Sequence, residues 1–189
     1  MSDQLRGRTG IWILPLLLLL VSVPMEKAAA QTGIGASFET RDISPENGFG
    51  LRIEQGILNM VPLVDLKLRG HFSYFSEENS FDFGGGTVTT EMDSYDFGLA
   101  ATGGVPLGLI SPYAGMGIGS ESFKAVEQGT QNGEFDEDYF YWNVFTGVQL
   151  TTLPMLKPFV EYRFVRHFED DQFYSNQNSR WAFGVTLEF

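Results

Sequence analysis

The chain has 189 residues, 12 of them basic and 24 acidic, for a formal net charge of −12, and its 17 Phe, 7 Tyr and 3 Trp make it aromatic-rich. Such acidity argues against nucleic acid as a partner, and the lack of cysteine excludes disulfides and lipoprotein anchoring. No phosphate loop, zinc spacing or dinucleotide fingerprint occurs, so no cofactor is implied.

At the N-terminus, Arg6 and Arg8 precede an apolar run from Ile11 to Val23 that contains five leucines, Leu16 to Leu20, and is followed by Ala28, Ala29 and Ala30. A basic start, an apolar stretch and a small-residue site form a cleavable secretory signal, and the run is too short to cross a hydrocarbon core of about 30 Å as a helix. Cleavage is expected after Ala30, which divides the chain into a signal peptide, 1–30, and one domain, 31–189. That domain keeps 9 bases and 22 acids, a net of −13.

The domain contains no second long apolar run. Alternation and turn signals divide it into eight strand segments, near 33–41, 48–56, 62–75, 91–103, 112–123, 138–150, 158–168 and 180–189. Connections after the second, fourth and sixth segments are short and carry Asn59 with Pro62, Gly103 with Gly104 and Pro106, and Pro154 with Pro158. The first connection, around Asp42 to Asn47, is brief, while those after the third, fifth and seventh are long, polar and acidic. Short turns at one end and long loops at the other are the pattern of outer-membrane barrels, whose termini are periplasmic.

Within segments the faces separate cleanly. In the third, Val64, Leu66, Leu68, Phe72 and Tyr74 oppose Asp65, Lys67, Arg69, His71 and Ser73; in the seventh, Val160, Tyr162 and Phe164 oppose Glu161, Arg163 and His167. The fourth sets Tyr95, Phe97 and Leu99 against Asp96, Gly98 and Ala100, and the sixth sets Phe140, Trp142, Val144, Val148 and Leu150 against Asn143, Gly147 and Gln149. A soluble lipocalin-like carrier would show the same alternation with the faces inverted. Three features decide for a polar interior. Gly115, Gly117 and Gly119 share the inward face of the fifth segment, leaving room for Arg and Lys side chains in a narrow barrel. Aromatics (Tyr74, Phe75, Tyr95, Tyr139, Tyr141, Trp142, Phe168, Trp181) crowd the loop-proximal strand ends as an expected interfacial girdle. The export signal and the last strand complete the case.

That last strand, with Trp181, Phe183, Val185, Leu187 and Phe189 on one face, resembles the closing strand of bacterial outer-membrane barrels. With the eight alternating segments and the turn–loop asymmetry, the whole domain resembles the small eight-stranded outer-membrane proteins of the OmpA-transmembrane-domain, OmpX and opacity-protein type, the porin-like family. The resemblance implies an all-β, eight-stranded antiparallel up-and-down transmembrane barrel in the outer membrane of a Gram-negative-type bacterium. It also implies that the five residues of the last strand are the insertion signal read by the barrel-assembly machinery. The fold hosts adhesins, anchors and lipid enzymes alike.

The interior is expected to carry a charge network of Glu39, Arg41, Arg52, Glu54, Asp65, Lys67, Arg69, His71, Asp96, Glu161, Arg163 and His167, paired across the lumen because eight strands leave room for side chains but no wide channel. Function is then expected in the acidic loops, especially 76–90, with its Gly84-Gly85-Gly86 tract, and 125–137, as contact surfaces for a surface ligand. Lipid and lipopolysaccharide are the expected surroundings of a monomer. Asp136, Glu137 and Asp138 lack the ligand spacing of a calcium loop, so no metal site is assigned and the acids read as a solvated surface. Alternatives are a lipid A deacylase, since His71-Phe72-Ser73 holds part of a His-x-Ser-Asn arrangement, and a narrow ion-conducting pore. Both histidines point inward, so no catalysis is expected.

Overall fold

The computed structural model describes residues 31–58, 64–83, 86–128, 133–168 and 176–189. The expected signal peptide 1–30, Asn59 and Pro62, Gly84 and Gly85, and Glu169, Asp170 and Asp171 lie outside the described residues. Eight strands follow one another: β1 (Thr32–Arg41), β2 (Asn47–Leu58), β3 (Asp65–Phe83), β4 (Gly86–Gly104), β5 (Ile110–Gln128), β6 (Gly133–Leu150), β7 (Leu156–His167) and β8 (Gln177–Glu188). Each pairs antiparallel with its neighbour, and β1 pairs with β8 from Gly33↔Glu188 to Arg41↔Arg180, closing the barrel. Closure leaves no strand edge at the barrel wall to be desolvated, the condition for a sheet in hydrocarbon.

The connections 105–109 and 151–155 mark one end of the barrel, the turn end, where Thr32 N also donates to Phe189 O at 3.1 Å. In the first of these, Leu107 N donates to Ile110 O (2.9 Å) and Val105 N to Pro112 O (3.0 Å). Gly108 closes the turn with φ of 82°, a conformation that costs residues with a Cβ.

Period-two alternation sets the faces. Ile34, Leu51, Leu68, Phe97, Ile118, Val144, Val160 and Phe183, one from each strand, are all exposed on the outside, whereas ionisable groups alternate with them on the inside. A continuous apolar belt around an entire barrel is unlike a water-facing surface, and the inverted, lipocalin-like arrangement is overturned. Gly115, Gly117 and Gly119 do lie on the inward face. What fills the space over them differs from expectation: Phe145, Ala100 and Tyr141, not Arg or Lys, stand above them.

Two further expectations are corrected. Phe75, Tyr139 and Tyr141, assigned to the girdle by residue type, are 0%, 3% and 0% exposed and face the lumen, because the pleat fixes direction regardless of chemistry. The outward aromatics are Tyr74 packed on Tyr95 (5.0 Å between centroids), Trp142 on Phe164 (5.9 Å) and Tyr162 on Trp181 (5.0 Å). The second concerns the long loops. Pairing of β2 with β3 stops at Gly48↔Phe75, yet β3–β4 continues to Phe83↔Gly86, β4–β5 to Thr89↔Gln128 and β5–β6 to Glu127↔Gly133. Most of 76–90 and 125–137 is therefore strand, and β3 to β6 rise as a four-stranded sheet above the rim formed by the other four strands. Its axis-facing side buries Phe123 and Tyr139 against Ile43, Met92, Ala125 and Phe135, which gives the sheet a small apolar core of its own. Side chains also tie its strands, with Ser80 Oγ 3.0 Å from Thr89 Oγ1 and Thr87 donating to Asp82 at 2.6 Å.

Candidate functional site

The polar lumen divides into two clusters, each built around a pair of carboxylates. Towards the turn end, Glu54 and Glu161 collect the cations of β2, β3 and β7. Arg69 lies 2.8 Å from Glu54 and 2.5 Å from Glu161. Arg52 stands 3.4 and 3.7 Å from the same two acids, and Arg163 is 2.8 Å from Glu161. Tyr113 donates to Glu161 at 2.9 Å and Arg52 donates to Thr186 Oγ1 at 2.6 Å. Below them Lys67 joins Glu54 (3.6 Å) to Glu188 (2.5 Å). Guanidinium faces that are not hydrogen-bonded stack on rings, Arg52 over Phe159 at 3.4 Å and Arg69 over Phe145 at 4.7 Å, an arrangement favourable for a desolvated cation.

Towards the loop end the centres are Asp96 and Glu121. Arg180 bridges them, pairing closely with Asp96 and lying 3.3 Å from Glu121. Tyr141 donates to Asp96 at 2.6 Å, and His71 Nε2 lies 3.2 Å from that carboxylate and 3.0 Å from the tyrosine oxygen. Glu121 holds Arg41 at 2.5 Å, Ser94 at 2.6 Å and His167 Nε2 at 3.0 Å. Glu39 accepts from Ser37 and Ser73, each at 3.0 Å. Taking an ion out of water costs several kcal/mol, recovered only through close partners, and these clusters supply them.

Eleven of the twelve expected network residues are thus brought together in the lumen. Asp65 is not: it sits exposed at the turn-end rim and makes no ion pair among the described residues. Three ionisable members were missed, Glu121 (0% exposed), Arg180 (1%) and Glu188 (8%). The signal for them was in the sequence, since Glu121 shares the parity of Gly119 and Arg180 and Glu188 that of Ala182. With them the lumen is neutral: six acids (Glu39, Glu54, Asp96, Glu121, Glu161, Glu188) face six bases (Arg41, Arg52, Lys67, Arg69, Arg163, Arg180). The other sixteen acids of residues 31–189, against Lys124, Lys157 and Arg166, account for the net charge.

Most of that surplus lies at the loop end. On the outer side of the projecting sheet the register places Glu78 opposite Glu91, and sets Asp93, Lys124 and Asp136 in one row across three strands. Lys124 pairs with Glu134 at 3.0 Å, which holds its ammonium above the usual lysine range. Among the described residues no group of three or more His, Cys, Asp or Glu is arranged to hold a metal ion.

No known family model matches the chain, and no curated protein does. Solved structures match across nearly the whole barrel. A major outer membrane protein from Thermus thermophilus superimposes with a TM-score of 0.68 at 10% identity, over 86% of this chain and 100% of that one. The fold is that of the small outer-membrane β-barrels. Ail, the attachment invasion locus protein of Yersinia pestis, matches with a TM-score of 0.60 at 13% identity (86% and 100%), and Neisserial surface protein A with 0.58 at 18% (86% and 98%). What these barrels share with the chain is architecture, and the outward apolar belt and polar, packed lumen are its physical content here.

The His-x-Ser element can now be placed. Ser73 is fully buried and its hydroxyl donates to Glu39, while His71 Nε2 is directed at Tyr141 and Asp96. Both face the charged interior and not the lipid, so neither is positioned to meet an acyl chain in the surrounding leaflet.

Proposed function

We propose that the chain is an integral protein of the bacterial outer membrane that works as a non-catalytic structural and surface-interaction barrel. On this reading residues 1–30 direct export, both termini of the mature domain are periplasmic, and the last strand from Trp181 to Phe189 engages the barrel-assembly machinery. The observation that carries it is the pairing of an apolar belt on all eight strands with a charge-balanced, side-chain-filled lumen. Such a lumen holds the wall together and leaves the surface as the place for function.

The contact surface is the sheet that β3 to β6 raise above the rim, whose acidic outer side stands among lipopolysaccharide headgroups. Burial of His71 and Ser73 counts against a lipid A deacylase, and the interlocked Arg and Glu side chains count against a wide pore. Because the chain has no cysteine, single-cysteine variants test the topology directly. Asp136→Cys is expected to react with a membrane-impermeant maleimide on intact cells, and Met155→Cys only after the outer membrane is opened. Reversed labelling, or recovery of protein that shows no heat-dependent gel shift from the soluble periplasm, would overturn the reading.

A further inference from the structure

A cavity of about 210 Å³ opens at the turn end of the lumen, below the Arg69–Glu54 pair and bounded by Lys67, Gln149, Lys157 and Glu188. We propose that it is a binding site for a small oxyanion, a carboxylate or phosphate taken from the aqueous phase, with the Gln149 amide and the Lys157 ammonium as its principal donors.

Two observations on this chain point to an anion. Gln149 is 8% exposed and lines the cavity, yet its Nε2 has no hydrogen-bond partner among the described residues. A buried amide donor left without an acceptor carries a desolvation cost, which an oxyanion in the cavity removes. Lys157 is half-buried on the opposite wall from β3 and makes no ion pair among the described residues. The charge inventory permits it. Three cations (Lys67, Arg69, Lys157) and three carboxylates (Glu54, Asp65, Glu188) line the cavity, so in a domain with a net charge of −13 its mouth carries no net negative charge to repel an anion. The volume lies below the roughly 300–1,000 Å³ of drug-sized sites, so the occupant is small.

The test uses the full mature chain folded in detergent micelles, isotope-labelled and titrated with sodium phosphate, with sodium acetate, and with sodium chloride at matched ionic strength. The Gln149 side-chain amide resonances are expected to move saturably with phosphate, acetate or both, with half-saturation in the millimolar range, and to ignore chloride. Which of the two oxyanions saturates assigns the ligand to the phosphate or the carboxylate class. Lys157→Met, on a half-buried rim position, is expected to weaken binding about tenfold, the effect of one charge-assisted hydrogen bond. Gln149→Met, which removes no bond from its Nε2 to the described residues, is read through the Ser111 backbone amide and gives a similar loss. Shifts that are linear, that chloride reproduces, or that persist unchanged in both variants would overturn the site.

Discussion

Arg180 is the side chain whose removal most directly tests how the lumen is held. It is 1% exposed and bridges Asp96 to Glu121, and it also donates to Asn178 Oδ1 at 2.9 Å. In Arg180→Met the unbranched stem is kept and the guanidinium is lost. Glu121 still holds Arg41 at 2.5 Å, so its charge stays balanced. Asp96 keeps the Tyr141 hydroxyl and His71 in contact, neither a permanent cation, with Arg163 acting on it only from beyond ion-pair distance, so the loss concentrates there. Breaking a buried pair by removing one partner costs about 3–5 kcal/mol. With a urea slope of about 2 kcal/mol per molar, the unfolding midpoint is expected to fall by about 1.5–2.5 M, measured as the fraction of heat-modifiable band in vesicles. Adding Asp96→Asn keeps an acceptor for Tyr141 and removes the orphaned charge, so the double variant should recover about 2 kcal/mol, a coupling typical of contacting groups. A loss below about 1 kcal/mol, or strictly additive losses, would refute the account of Asp96 as the residue that Arg180 neutralises.

The remaining predictions address the walls and the projecting sheet. Gly115→Ala places a Cβ against Phe145 and 2.6 Å from Ala101 O, a cost of about 1–3 kcal/mol for overpacking; Gly70→Ala, where the nearest atom is Leu99 Cδ2 at 3.8 Å, should stay within about 0.5 kcal/mol by the same unfolding assay. Glu77 accepts from Asn79 at 2.9 Å and from the Glu46 amide at 3.0 Å, and those bonds, the Asn79 one foremost, lower its pKa from 4.5. A lowered pKa means that its contribution is present above the unfolded value and lost as pH falls through the folded one. The protection factor of the Glu46 amide, its exchange rate corrected for the intrinsic pH dependence, should therefore fall as the pH drops below 4.5, and in Glu77→Gln it should not respond. Glu91→Gln removes the like-charge opposition to Glu78 and should slow amide exchange along the β3–β4 extension at low salt, with the difference vanishing at about 1 M salt.

Strand number, barrel closure and the two faces were legible in the sequence because a half-buried strand writes its period into every second residue, as Val64 to Tyr74 show. Errors arose where residue type was weighed above that period. Aromatic character points Phe75, Tyr139 and Tyr141 outward although the parity of their neighbours fixes them inward, and the same parity places Glu121 and Arg180 in the lumen. The 76–90 and 125–137 stretches look like loops in the sequence because both sides carry Ser, Thr and acids. Their apolar side becomes visible only when Ala125 and Phe135 meet Met92, Phe123 and Tyr139 across three strands. Which acid meets which base was not legible at all, since a lumen contact such as Arg41 with Glu121 depends on the register of every ladder between them.

The unequal strand lengths make the rim lopsided. β3 runs eight residues past its last pairing with β2, about 27 Å along the strand and about 20 Å of height at a typical barrel tilt, whereas β1 turns back at Arg41. Among the described residues the barrel therefore carries a wall on one flank and, at the ends of β7, β8, β1 and β2, a low sill on the other. An object approaching parallel to the membrane meets a charged shield from one direction and, from the other, the side that holds Phe123 and Phe135. Recognition at this surface depends on the bearing of approach as well as on chemistry, and neighbours packed around the barrel in the membrane would not be equivalent.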